Sequence, residues 1–190
     1  MLTLTDIFSI WHITRAAGLT AYLLLFLATT CGLMLSLQLT AIKYRSTILY
    51  FHKKSLYLLF LFTLLHGLIL LFDKHVPFSL ADIALPFWSG YSSWPLALGI
   101  LAFYALMILS VTGMPNILKM LGHKRWRYLH YLSFPCYWLA LFHGFTQGTD
   151  SSNYIILTLY VATGCIVSYL TFLRVWRSLK KILEQNIFCR

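Results

Sequence analysis

Long apolar stretches alternate with short polar ones along the chain, and the apolar stretches are continuous rather than alternating residue by residue. Five runs stand out, approximately Ala16–Leu39, Ile48–Phe72, Trp94–Met114, Tyr128–Phe145 and Tyr154–Trp176. Each comes close to the ~20 apolar residues that an α-helix needs to cross ~30 Å of hydrocarbon. Unbroken runs of this length predict helices, because in lipid only helices and closed barrels satisfy every backbone polar group. The stretch 73–93 (DKHVPFSLADIALPFWSGYSS) holds prolines and acids and reads as a loop with one short interfacial helix at Leu80–Leu85. The expected fold is all-α: an integral membrane bundle of five, or at the outside six, transmembrane helices forming a single domain over 1–190. No repeat or linker divides it.

Composition sharpens this picture. Hydrophobic residues make up 59% of the chain and charged residues 11%, too few to coat a soluble domain of this size. The net charge of +10 would suit nucleic acid if it formed one patch, but the basic residues fall in clusters between the apolar runs. Lys43, Arg45, Lys53 and Lys54 lie between the first run and the apolar body of the second, and Lys119, Lys124, Arg125 and Arg127 between the third and fourth. Arg174, Arg177, Lys180, Lys181 and Arg190 lie at or beyond the end of the fifth. These thirteen of fifteen basic residues share one side if the N-terminus is outside and the C-terminus inside. The other side receives Asp6, Asp73, Asp82 and Asp150, with Arg15 and Lys74 as its bases. The expected partner is therefore membrane lipid and not nucleic acid, in a multi-pass protein of a bacterial inner or plasma membrane.

Cys31, Cys136, Cys165 and Cys189 are scattered with no CxxC pair, and read as small apolar residues. The opening segment MLTLTDIFSIWHITR lacks a basic start and a small-residue cleavage site, so the first run reads as a retained helix.

Four of the seven histidines form a pattern. His52 begins the second run and His66 lies deep inside it; His130 begins the fourth and His143 lies near its far end. Both runs cross in the same direction, so the residues pair by depth, His52 with His130 and His66 with His143. Imidazole is a good axial ligand for haem iron, and facing helices commonly supply such ligands. At 1.5 Å per residue the two levels lie about 20 Å apart, which suits two b-type haems stacked across the bilayer. Azimuth agrees for one helix only: fourteen residues fall about 40° short of four turns, but the thirteen from His130 to His143 fall about 140° short. Pro135 lies between them, so a kink or change of winding is expected there. Hydrogen bonding to a neighbouring helix is the competing explanation for a lone intramembrane histidine, and two depth-matched pairs favour ligation over it.

Arg15, just inside the outer boundary, offers a guanidinium fork to a haem propionate, with snorkelling to headgroups as the alternative. On the inner side Lys53, Lys54, Arg125 and Arg127 flank the other level; they serve topology, and Arg127 is the one expected to reach a propionate. His12, His75 and His123 read as interfacial or loop residues, and the tryptophans as an aromatic belt. Lys74 and His75 are where a partner is expected to dock.

With these motifs in hand, the chain resembles the ferric-reductase-like transmembrane domain family. That family includes the membrane halves of ferric reductases and NADPH oxidases and the haem subunit of bacterial periplasmic methionine-sulfoxide reductase. The resemblance rests on RAAGLTAYLLLFLATTCGLMLS, FHKKSLYLLFLFTLLHGLILLFD, ALGILAFYALMILSVTG and, most specifically, KRWRYLHYLSFPCYWLALFHGFTQGTDS. It implies two haems ligated by His52, His66, His130 and His143. Members that reduce iron or oxygen unaided carry a flavin and nicotinamide domain after the last span. No Gly-rich dinucleotide motif occurs here, so FAD or FMN is expected only through a partner. The resulting expectation is the haem-containing subunit of an oxidoreductase system, with no catalytic residue of its own. A cytoplasmic flavin reductase or a membrane quinol would donate. By resemblance, an exported flavin- or molybdenum-containing protein would accept. Direct reduction of iron, a scaffold role and a proton-using transporter are the alternatives; the last wants carboxylates inside the spans, and none is there.

Overall fold

The computed structural model describes residues 10–73, 76–148 and 153–188, and every regular element among them is helical. The elements are α1 (Ile10–Leu37), a 3₁₀ turn (Ile42–Tyr44), α2 (Arg45–Leu70), α3 (Leu80–Ala84), α4 (Ser93–Thr112), α5 (Pro115–His130), α6 (Ser133–Gln147) and α7 (Tyr154–Phe188). Four stretches among the described residues are long and apolar enough to cross a membrane: Ile10–Leu37, Ile42–Leu70, Ser93–Thr112 and Tyr154–Lys181. The chain is an all-helical membrane protein.

The stretch Tyr128–Phe145, expected as one further span, is not one helix. α5 ends at His130 and α6 begins at Ser133, with Tyr131 and Leu132 between them. The cause is Pro135, which has no N–H to give the Tyr131 carbonyl and whose ring crowds it. Phe134 N–H takes that carbonyl instead at 3.1 Å, and Leu132 N–H bonds Leu129 O at 3.0 Å, both three-residue turns. The first four-residue bond of α6 runs from Cys136 N–H to Leu132 O. Pro135 thus sits in the first turn of α6, where its missing donor costs nothing. The 15 residues of α6 span about 22 Å, short of a full hydrocarbon crossing. α5 bends again at Gly122, whose φ of 75° lies in the left-handed region that favours glycine.

His12 and Arg15 both lie within α1. Its far end closes as glycine-terminated helices do, but with Gln38 at φ 55°. Leu39 N–H reaches back to Met34 O at 3.1 Å, and the Leu37 carbonyl accepts from Arg177 at 2.6 Å. α3 stands on a capping box: the Ser79 amide donates to Asp82, and the Asp82 amide donates to the Ser79 hydroxyl.

α1 packs along α2, α4 along α6, and α7 lies against α1 and α6. Ala17, Ala21 and Ala28 are buried on α1, and such small residues let helix backbones approach where no hydrophobic drive exists. The core joins Tyr22, Leu25 and Leu33 of α1 to Leu59, Leu106, Tyr137, Tyr160 and Val167. Tyr22 brings a hydroxyl into it and shares hydrogen bonds with Thr163 at 2.5 Å and Tyr137 at 3.2 Å. Large apolar side chains such as Tyr57, Ile155 and Phe172 face outward, as a lipid-facing surface requires. Cys31 and Cys136 are buried free thiols, whereas Cys165 is exposed; Cys189 falls outside the described residues.

Candidate functional site

Helix α1 carries two glycines fourteen residues apart, and α2 carries two histidines at the same interval. Packed together, the helices set Gly18 against His66 and Gly32 against His52. A Cβ on Gly18 would come within 2.9 Å of the His66 ring, and one on Gly32 within 3.4 Å of His52. The second helix pair repeats the device, because a Cβ on Gly99 of α4 would lie 2.7 Å from His143 of α6. Each of these rings lies over a backbone stripped of its side chain.

The same approach fixes the rings' orientation. His66 Nδ1 lies 2.9 Å from Thr14 O, His52 Nδ1 2.8 Å from Ala28 O, and His143 Nδ1 2.8 Å from Pro95 O. A carbonyl only accepts, so Nδ1 carries the proton in all three, and Nε2 keeps its lone pair for another purpose. His130 differs. Its ring stacks on Trp126, with centroids 4.8 Å apart at 23°, and Trp126 stacks in turn on His123 at 5.3 Å.

The four rings face each other in two pairs. His52 and His130 have centroids 6.2 Å apart at 71°, and His66 and His143 have centroids 6.1 Å apart at 77°. The break at Tyr131–Leu132 puts the two partners of α2 on different helices, His130 at the end of α5 and His143 within α6. A metal ion binds an imidazole nitrogen at about 2 Å, and the ring centre lies about 1 Å further back, so two opposed ligands leave centres ~6 Å apart. The observed spacing fits one iron between each pair. Among the described residues no three of His, Cys, Asp and Glu converge to hold a bare metal ion. Two opposed imidazoles suit a metal whose remaining ligands come from a macrocycle.

A cavity of about 700 Å³ takes in His66 and His143, together with Gly18, Gly99 and Arg15. That volume lies within the roughly 300–1,000 Å³ of small-molecule sites. Arg15 therefore lines the same space as this pair. Arg127 does not; it is exposed and borders a separate cleft with His123, Lys124, Tyr128 and Tyr131. His12 lines the large cavity too, rather than facing only the interface. Lys74 and His75 lie outside the described residues.

A family model described as the ferric reductase like transmembrane component matches residues 14–141. The chain belongs to that family. The matched region opens at Thr14, whose carbonyl holds His66, and contains His52, His66 and His130, ending two residues before His143. No curated protein matches the chain. As a ferric-reductase-like transmembrane protein it has membrane electron transfer as the activity its family suggests.

Several residues of the site escaped the sequence reading. Gly18, Gly32 and Gly99, and the carbonyls of Thr14, Ala28 and Pro95, seat the rings. The signal was present in one place: the fourteen-residue interval on α1 repeats the interval on α2. Trp126, expected to belong to an aromatic belt, also packs the His130 ring.

Proposed function

We propose that this protein carries electrons across a membrane through two b-type haems, one held by His52 and His130 and the other by His66 and His143. The observation that supports it best is the pair of facing imidazole couples, four helical turns apart on α2 and each spaced for one iron. When bound, haem supplies one-electron iron chemistry, and the protein supplies ligands, orientation and a low-dielectric sheath. The Thr14, Ala28 and Pro95 carbonyls hold three rings in the tautomer that offers Nε2, and the glycines let the Nδ1–Cε1 edges of those rings come close to the helices. Arg15 supplies a cation to a propionate of the haem between His66 and His143; Arg127 serves the basic rim of the other level.

The basic end faces the cytoplasm in this reading, with the N-terminus outside, in a bacterial cell membrane. Electrons enter there from a flavin reductase or from membrane quinol. They leave at the opposite face to an exported flavin- or molybdenum-containing protein, and a purified protein that reduces chelated iron unaided would replace that acceptor with iron itself.

The test is a reduced-minus-oxidised spectrum of protein purified from haem-replete cells, with haem counted per chain. Two b-type haems are expected. Their complete absence would sink the proposal, and one haem would reduce it to a single-level carrier.

A further inference from the structure

The two histidine couples are not built alike. At the His66/His143 level both Nδ1 atoms donate to carbonyls, and the cavity encloses both rings. At the other level only His52 donates, to Ala28. Among the described residues no hydrogen bond reaches the His130 ring, which ends α5 just before the Tyr131–Leu132 break. Ring contacts hold it, a stack on Trp126 and the edge-on approach of His52, and the buried Trp126 indole N–H has no acceptor among the described residues. The Arg174 guanidinium of α7 lies over the two rings that follow it, 5.2 Å from Tyr131 and 5.6 Å from Phe134.

An Nδ1–H bond to a carbonyl pushes electron density onto Nε2, strengthens the metal bond and favours ferric iron. A ring without that bond is the weaker ligand, and a nearby cation favours the less positive, ferrous state. Resting on the two-haem reading, we propose that the levels are ligated unequally, with His130 the labile ligand. Trp126 is its positioning residue, and Arg174 lifts the potential of the same haem. The His52/His130 haem then has the higher midpoint potential, and small anionic ligands such as cyanide bind there in exchange for His130.

The test uses the haem-loaded full chain. A redox titration of the unaltered protein should resolve two components, and cyanide should perturb one haem per chain. His143→Ala should retain the higher-potential component and His130→Ala the lower. Trp126→Leu removes the stacked face and should tighten cyanide binding about tenfold, the low end of what lost outer-shell support costs. Trp126→Phe keeps a flat, smaller ring, removes an N–H that has no acceptor among the described residues, and should bind cyanide much closer to the unaltered protein than Trp126→Leu does. Arg174→Gln should lower the upper component alone. Two haems of equal potential, cyanide at the His66/His143 haem, or a Trp126→Leu protein that shifts the lower component would each overturn the inference while leaving the two-haem reading intact. A protein without haem would overturn both. The titration and cyanide stoichiometry need no variant, so a Trp126→Leu chain that fails to fold leaves the proposal open to refutation.

Discussion

A histidine ring pressed against a glycine has no room to yield once its Nδ1 is tied to a carbonyl. That makes Gly18 and Gly99 more informative than their chemistry suggests. An added methyl would sit 2.9 Å from His66 or 2.7 Å from His143, and neither ring can move without breaking its bond to Thr14 or Pro95. Gly18→Ala and Gly99→Ala should therefore each loosen haem at the His66/His143 level by about 10- to 100-fold, as loss of outer-shell support does. Gly32→Ala meets His52 only at 3.4 Å and should keep its haem. Haem per chain after extensive washing separates the three variants; equal retention in all would show that the glycines are ordinary packing residues. The histidines could be found from sequence because spacing and run direction survive without coordinates. The carbonyls that orient them could not, since every residue carries one and only packing selects Thr14, Ala28 and Pro95. Trp126 was hidden for a related reason: tryptophan near a span boundary has an adequate explanation in the aromatic belt, so nothing asked for a second.

At the scale of elements, hydropathy found the long helices and missed the break in the fourth apolar run. Composition runs on unchanged through Tyr131 and Leu132, and only Pro135 tells that a carbonyl four residues earlier has lost its donor. The angular mismatch of about 140° between His130 and His143 was the visible trace of that break. Pro135→Ala restores the missing N–H and should let α5 run on into α6, swinging His130 away from His52. Its expected result is one haem per chain, the His66/His143 haem, with helix content kept or raised by circular dichroism. Two haems with an unaltered spectrum would mean that something other than the proline enforces the break. The short helix α3 makes a separate prediction from its capping box. The Ser79 hydroxyl, and then the Ser79 amide, hold the Asp82 carboxyl below the usual carboxylate range. The charged carboxylate is thus the form that the folded cap favours. The cap is complete above the ordinary Asp midpoint of about 3.9 and is lost as pH falls through the lower, folded value. A carbon NMR titration of the Asp82 carboxyl should show that lower midpoint, and Ser79→Ala, which removes the hydroxyl but keeps the backbone N–H, should raise it part of the way back to the ordinary range.

For the whole molecule, the separation of the two levels decides what the protein can do. Fourteen residues of α2 place His52 and His66 about 21 Å apart along the helix, most of a hydrocarbon thickness of ~30 Å. Neither level alone reaches both faces, so transmembrane transfer requires both, whereas a scaffold or a one-sided reductase requires one or none. Vesicles containing the protein, with a ferric chelate sealed inside and a membrane-impermeant reductant outside, test this directly. The unaltered chain should reduce the enclosed iron. His66→Ala and His52→Ala, each retaining its other haem by spectrum, should both fall to the leak rate of protein-free vesicles. The two variants must also fail differently: external reductant should bleach the remaining haem quickly when its level lies at the exposed face and slowly when it lies at the far one. Scored on vesicles with one insertion direction, that difference reports which end faces the reductant, and the cluster of basic residues at the His52/His130 end predicts the answer. Transfer that survives either substitution would remove the need for two stacked cofactors, and with it the strongest reason for four histidines at matched depths.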